Sequence, residues 1–415
     1  MAFHRNLLTK MHSRLRSLKV RGGATAKAAR FTCRRSTPRR PGGWGATVNR
    51  SRALAIDLQY FVSILSVHPY QIELAKPYRW AKGVQTHRVG FVVKIEFDGC
   101  VGLGEATLLP NVLHDAIKFA RQCELMLDGL NPVEDNFLDQ LDARECPPAI
   151  RCGVSSAYFS YAASKKGLQL CTLFAAQRPA AHAVPVNALI TDQTPRQCVE
   201  AAKQHVSRGI RTVKLKCGKD RKSDTARIEA VRGDFPGLNI RIDPNQSWDV
   251  EWATEHLRSL EPFDIQYCEE PLPSGTSFDV YRHLREDGGV AIALDESIVD
   301  LNSAELAIEK SAADYLVLKL QRLGGMDRLL DVAKFAKSCH VDSILTSSME
   351  ATVGLAVGLH CAAVMQSPGL DSGLATADFF ADGLDPLLAV VDGCMRVPTG
   401  RGTGVTYSKL FQRKL

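Results

Sequence analysis

The sequence predicts an α/β barrel preceded by a smaller α+β unit, and three observations carry that prediction. Five polar stations stand at near-equal intervals: Lys214-Leu-Lys216, Asp243, Glu269, Asp295 and Lys319, with steps of 27, 26, 26 and 24 residues from Lys216 onward. Each station closes a short apolar, β-branched run, and each run is followed by a turn and a helix-like segment. Repeats of about 25 residues that alternate strand with helix describe βα units. In a (β/α)8 barrel the polar residue ending each strand points into the mouth at the C-terminal face. Five consecutive strands therefore converge three carboxylates and three lysines on one place.

The chain has 415 residues, 45% of them hydrophobic. That suffices for a large globular enzyme of one or two domains. No apolar run reaches about 18 residues, so no membrane span is expected. The formal charge of +7 is localised. Residues 1 to 56 hold 14 Lys and Arg and no acidic residue, and subtracting them leaves −7 for the remainder. No basic face for nucleic acid is expected. The leader, 1–57, is rich in Arg, Ser, Ala and Gly, with Arg34-Arg35 and Arg39-Arg40 near its middle. This is the composition of an organelle transit peptide, chloroplast or plastid with the mitochondrion as the alternative. It is not that of a secretory signal, because no uninterrupted apolar core follows the first charges. The twelve cysteines are scattered and show no C-x-x-C spacing. They read as buried thiols in a reducing compartment.

Taken in order, residues 58–181 form the α+β unit. Tyr70 to Leu74, Gly90 to Phe97 and Val101 to Ala106 read as strands, with Asp98-Gly99 as a turn. A polar, aromatic loop is expected from Lys76 to Arg88. Residues 113 to 180 look mostly helical, with Ile117, Ala120, Cys123 and Leu127 at helical spacing. The barrel, 182–385, begins with Val184 to Ile190. Thr194-Pro195-Arg196-Gln197 is a capping-box arrangement with Pro at the first helical position. Strands follow at Thr212–Lys216, 238–243, 265–269, 291–295, Tyr315 to Lys319 and 343–346. Ser223 or Asp224 is expected to cap the helix after Lys216. The eighth strand is short and falls within Gly369 to Thr376. Residues from about 386 to 415 read as short strands and turns that complete the first unit.

Asp243, Glu269 and Asp295 are hard oxygen ligands on three adjacent strands, which suits Mg²⁺, with Mn²⁺ as an alternative. No His-x-His occurs, which argues against a zinc barrel. Asn245 is placed to orient a ligand from behind. Glu270 and Glu296 each follow a ligand directly and, by strand alternation, should face away from the metal and support it. Lys214 and Lys216 alternate on one strand and share a side. Two ammonium groups that close, near a divalent cation, should depress each other's pKa, making a general base near neutral pH. Lys319 enters from the opposite wall. A base on each face of a metal-bound carboxylate is what removal of an α-proton requires, and the metal stabilises the enediolate.

These motifs resemble the enolase superfamily, muconate lactonizing enzyme subgroup, over about residues 69 to 408. The resemblance rests on Lys214-x-Lys216, Arg241-x-Asp243-x-Asn245, Glu269-Glu270-Pro271, Leu294-Asp295-Glu296-Ser297 and Leu318-Lys319 with Gly324-Gly325. It implies a (β/α)7β TIM-type barrel with an α+β capping domain, Mg²⁺ on Asp243, Glu269 and Asp295, and acid/base lysines at 216 and 319. The mandelate racemase subgroup would carry a His at the end of the seventh strand, where this chain has Thr346-Ser-Ser-Met-Glu350. Within the subgroup, three activities are implied: o-succinylbenzoate synthase, dipeptide epimerase, and muconate-type cycloisomerase or N-acylamino acid racemase. Arg88-x-Gly90, Gly104-Glu105-Ala106, Ser347-Ser348-Met349-Glu350 and Gly373 to Thr376 are similar to the synthases. The Asp-x-Asp of dipeptide epimerases is missing; Asp371-Ser-Gly373 is the nearest stretch. Pro244 stands where the family usually has Ala. The resemblance thus points to a small-molecule carboxylate substrate in phylloquinone or menaquinone biosynthesis, with Arg88, Ser347, Ser348, Glu350 and Gly373 as candidate substrate contacts. The oligomeric state is left open, and a homo-oligomer is compatible with the sequence.

Overall fold

The computed structural model describes residues 65–80, 83–108, 116–175, 179–218 and 220–406. The expected leader, 1–57, lies outside the described residues.

The first layer is an antiparallel meander, β1 (Leu65–Trp80), β2 (Gly83–Phe97) and β3 (Cys100–Thr107). The expected loop from Lys76 to Arg88 is largely strand. Ile72 pairs with Arg88 and Glu73 with His87, and after a bulge Tyr78 pairs with Gln85. Local composition missed this because Pro77 and polar residues are tolerated in a bulge, while cross-strand bonds satisfy the flanking backbone. The bulged segment is also held from outside. Leu74 bridges to Phe380, and the Ala381 N–H donates to the Glu73 carbonyl.

Helices α1 (Ala116–Leu127), α2 (Phe137–Asp142) and α3 (Pro148–Lys165) cover the meander. Phe91, Val93 and Ile95 of β2 are fully buried with Cys123, Phe137, Leu141 and Val154 in one core. The spacing of Ala120, Cys123 and Leu127 places all three in that core.

A second, larger sheet is parallel and curls into a barrel. Its strands are β5 (Ala188–Ile190), β6 (Thr212–Lys216), β7 (Asn239–Asp243), β8 (Ile265–Glu269), β9 (Ile292–Leu294), β10 (Tyr315–Leu318) and β11 (Asp342–Leu345), hydrogen-bonded in chain order. A short eighth strand closes it. Ser372 bridges in parallel to Val186 on one side, and Gly373 to Thr346 on the other. Short β4 (Ala183–Pro185) pairs with the C-terminal hairpin, β12 (Val390–Val391) and β13 (Cys394–Arg396). Gly402 bonds to Leu168 and Leu170.

The connecting helices are α4 (Pro195–Ser207), α5 (Arg221–Asp234), α6 (Val250–Leu260), α7 (Phe278–Asp287), α8 (Leu301–Glu309), short α9 (Leu320–Leu323), α10 (Met326–Ser338) and α11 (Thr352–Met365). Thr194 caps α4 by accepting from the Gln197 N–H. Asp220, not Ser223 or Asp224, caps α5. Asp224 lies a turn further in, and its carboxylate bonds instead to the Gly218 N–H.

Strand alternation decides which side chains enter the barrel. Val213, Leu215, Ile240, Ile242, Cys268, Ile292 and Leu294 join the large core under the helices. Tyr267, Ala293, Val317 and Ile344 form a separate cluster inside. Residues 269, 295, 319 and 346 share the parity of that inner set, so the polar stations project from the same side one step further along. The six cysteines of the large core, Cys152, Cys171, Cys198, Cys217, Cys268 and Cys361, are buried and unbridged. Among the described residues no helix is long and apolar enough to cross a membrane.

Candidate active site

The strand ends bring the stations into one charged cluster. Lys214 Nζ stands 2.8 and 3.0 Å from the two Glu269 carboxylate oxygens and 3.1 Å from Asp243 Oδ2. Lys216 Nζ donates to Asp243 Oδ2 at 2.5 Å and to Asn245 Oδ1 at 2.8 Å. From the other wall, Lys319 donates to Asp295 Oδ2. Asp243, Glu269 and Asp295 have side chains 2%, 0% and 1% exposed, so these charges are paired out of water.

Lys214 and Lys216 were expected to depress each other beside a divalent cation, and the Lys214 charge does lower Lys216, but the neighbouring carboxylates decide the net direction. Burial does work against their charged forms, but Glu269 and Asp243 outweigh it at Lys214, and Asp243 outweighs it at Lys216. Both ammonium groups are therefore held above their ordinary pKa. The reason is distance: each lies within 3.1 Å of a carboxylate. Burial raises the Asp243 carboxyl, but Lys216 and Lys214 reverse that and hold it well below the usual range; Arg322 and Lys319 do the same for Asp295. Glu269 goes the other way. Burial, then the charges of Asp243 and Asp295, push it up to about 7 despite Lys214.

The supporting residues divide. Glu270 sits in the left-handed region at φ 38°. Its carboxylate accepts from the Asp295 N–H at 2.7 Å, from Tyr281 Oη at 3.0 Å and from the Ser297 N–H and hydroxyl, so it fixes the turn that carries Asp295. Strand β9 ends at Leu294, and Glu296 lies two residues beyond it. The Glu296 carboxyl shares the field of Asp295, Lys319, Asp243 and Arg322, and burial followed by Asp295 pushes it up to about 7. Asn245, at φ 51°, donates its N–H to Asp243 Oδ1 at 3.0 Å while its side chain receives Lys216.

The candidate substrate contacts are more dispersed. Ser347 donates its hydroxyl, and Ser348 its N–H, to Glu350 Oε2. Glu350 is 2% exposed, and its second oxygen accepts no hydrogen bond among the described residues. Gly373 belongs to the closing strand, where a Cβ would meet Thr346 Cγ2 at 2.7 Å. Arg88 does not join the mouth cluster. Its guanidinium donates to Gln85 Oε1 and to the carbonyls of Ser348 and Met349, joining the meander to the turn after β11.

Two site residues escaped the sequence reading. Arg322 of α9 pairs with Asp295 Oδ1. The only signal was its place one turn beyond Lys319. Tyr281 of α7 reaches Glu270 from eleven residues away, and nothing local marks it.

Three buried carboxylates thus stand at the C-terminal ends of adjacent parallel strands, paired with lysines from two walls. The chain belongs to the enolase C-terminal domain-like family, whose model matches residues 197–410. It is an enzyme of the enolase superfamily with the (β/α)7β barrel and capping domain of that fold. An o-succinylbenzoate synthase of Thermobifida fusca is 36% identical over 224 residues, 53% of this chain and 68% of that protein. A D-Ala-D/L-Ala epimerase of Cytophaga hutchinsonii is 26% identical over 371 residues, 84% of this chain and 96% of that protein. Among solved structures, a dipeptide epimerase of Enterococcus faecalis complexed with Mg and L-Leu-L-Tyr superposes with a TM-score of 0.74 at 21% identity. That match covers 83% of this chain and 99% of the other. At that identity the likeness is one of fold.

Proposed function

We propose that this enzyme removes the proton α to a carboxylate with the help of Mg²⁺, and that its reaction is the dehydration of 2-succinyl-6-hydroxy-2,4-cyclohexadiene-1-carboxylate to o-succinylbenzoate. The observation that carries the chemistry is the meeting of Lys214, Lys216 and Lys319 with three buried carboxylates at one barrel mouth.

The donor set fits the metal by its chemistry. No three His, Cys, Asp or Glu side chains are gathered at ligating distance among the described residues, and Lys214 lies between Asp243 and Glu269. Yet Glu269, pushed up to about 7 first by burial and then by the charges of Asp243 and Asp295, is a carboxyl whose charged form a further cation would favour. Three hard carboxylate oxygens on adjacent strands suit Mg²⁺, with Mn²⁺ as the alternative. When bound to Asp243, Glu269 and Asp295, the ion supplies a Lewis acid for charge developing on the substrate carboxylate.

The chain's own residues do the proton work. With Asp243 and Glu269 engaged by a cation, Lys216 would lose the partners that keep it charged, release its extra proton to solvent and, as the neutral amine, accept the α-proton; the substrate hydroxyl would then leave with that proton as water. Lys319, on the opposite wall, faces the developing charge as a fixed cation. Glu270, tied to Tyr281 and Ser297, keeps the Asp295 turn in place.

Substrate choice is supported by the higher identity to the synthase, 36% against 26% for the epimerase. A racemase or epimerase with both lysines as two-way acid/bases is the second reading, favoured by an epimerase match that spans 96% of that relative. The plastid address, with a mitochondrial one as alternative, rests on the leader's composition alone; the relatives named here are bacterial. The test is a spectrophotometric assay of the full chain with Mg²⁺ and the cyclohexadiene. Loss of diene absorbance, abolished by EDTA, is the expected result. No loss, together with deuterium entering the α-carbon of N-acylamino acids or dipeptides in D₂O, would replace the synthase by the racemase. Neither reaction would sink the reading.

A further inference from the structure

The loop after Lys216 is gripped by a buried ion pair that stands apart from the mouth cluster. Asp224 and Arg227 lie on α5, 0% and 3% exposed, and pair with each other. Arg227 Nη1 donates to the Lys216 carbonyl at 2.8 Å and to the Asp192 carbonyl, just beyond β5, at 3.0 Å. Asp224 Oδ2 accepts from the Gly218 N–H at 2.7 Å. Between these contacts, the Cys217 N–H donates to the Asp243 carbonyl at 3.0 Å.

The peptide joining Lys216 to Cys217 is thus held at its oxygen by Arg227 and at its nitrogen by β7. The next N–H is held by Asp224. Gly218 leaves the clamp at φ +112°, where a Cβ would stand 2.1 Å from Ser247 Oγ. Ser247 donates to the Pro244 carbonyl at 2.7 Å and to the Gly218 carbonyl at 3.3 Å. The turns after β6 and β7, which carry Lys216 and Asp243, are therefore tied to each other.

Burying an ion pair is costly unless its remaining donors and acceptors are used. Here the bonds to the rest of the chain go mainly to backbone groups that flank two strand ends, while Arg227 Nε finds no partner among the described residues. We propose that Asp224 and Arg227 are positioning residues for Lys216. They fix the last peptide of β6, so that the Lys216 side chain carries Nζ to one place at the barrel mouth. A displacement of about 1 Å at a reacting group costs on the order of a hundredfold in rate, which makes such a clamp worthwhile. The inference rests on the reading of Lys216 as the base.

The test is Arg227→Lys in the full chain. Lysine keeps a charge beside Asp224, but a single ammonium lacks the fork that spans Asp224 and two carbonyls. The expected result is a kcat lower by about a hundredfold with KM within about threefold. In a Lys216→Ala background the same change should lower kcat no further, because the residue it positions is gone. Equal losses in both backgrounds would show a general structural effect and overturn the proposal, as would an unchanged kcat. Should Arg227→Lys fail to fold, the double variant Asp224→Asn with Arg227→Gln removes both charges together and leaves neither unpaired. It is expected to show the same dependence on Lys216. A wild-type chain inactive towards the diene, N-acylamino acids and dipeptides is a different failure. It sinks the functional reading before any variant is made, and this inference with it.

Discussion

Buried charge is handled differently in two regions of this chain. At the barrel mouth, charged side chains pair with one another: Lys214 with Glu269 and Asp243, Lys216 with Asp243, Lys319 and Arg322 with Asp295. At the seam between the meander and the barrel, they bond largely to backbone. Glu105 of β3 accepts from the N–H groups of Ala351 and Gly354 at 2.7 Å each, at the start of α11, and from Tyr70 and Thr107. Arg88 takes the carbonyls of Ser348 and Met349. Arg151 takes the Gly324 carbonyl at 2.6 Å besides Asp142 and Asp327. Gln321 is exchanged between the Thr107 N–H and the Glu105 carbonyl.

A backbone dipole neither titrates nor leaves. The seam is therefore built to hold one geometry. An ammonium paired with a carboxylate can trade that partner for a substrate group or a metal ion, so the mouth is built to change partners. Helix α9 stands at the border. Gln321 faces the seam, while Arg322 and the preceding Lys319 face the mouth.

The contrast breaks most sharply at Lys216. Lys216→Ala should lower turnover on the order of 10⁴-fold while leaving the melting temperature nearly unchanged. Steady-state kinetics beside a thermal melt decides it, and near-wild-type turnover would remove the proposed base. Glu105→Gln should do the reverse. Its amide nitrogen would meet N–H donors that now find a carboxylate, at a cost of about 3 kcal/mol in urea unfolding, with kcat in the surviving folded protein within about threefold. A collapse of kcat without loss of stability would place Glu105 in the chemistry and erase the distinction.

The smallest effect comes from a buried group in neither region. His360 of α11 receives the Cys171 N–H at 3.4 Å and contacts the Thr403 carbonyl at 3.1 Å. Burial lowers its pKa to about 4, and burial followed by Arg221 does the same for His256. In the unfolded chain both would titrate near 6.5. As pH falls, the unfolded state takes up these protons first. Stability is thus full above about pH 6.5, declines between there and about 4, and loses nothing more from these groups below that. Each contributes at most about 3 kcal/mol. The pH dependence of stability across this range, measured by urea unfolding, should be shallower by about one proton for His360→Gln than for wild type. Equal slopes would show that His360 is not buried neutral.

The stations were legible in the chain because parallel strands enforce a period of two, and βα units repeat at similar lengths. Lys216, Asp243, Glu269, Asp295 and Lys319 needed only that regularity to be placed on one face. The twisted hairpin from Lys76 to Arg88 was not legible. Its pairing depends on Phe380 and Ala381, some three hundred residues away. The net direction of the lysine shifts was not legible for a related reason. Two lysines on one strand are visible in sequence, but the carboxylates that outweigh their repulsion come from β7 and β8.

Arg322, Tyr281, Asp224 and Arg227 were invisible as site residues because each lies on a helix where its spacing is ordinary. What the sequence determined by itself is therefore what local periodicity encodes: the barrel, its polar strand ends, and the identity of the atoms facing its mouth. What only the tertiary structure decided is which charge meets which, because pairing energy depends on distances of a few ångströms between residues that no local pattern relates.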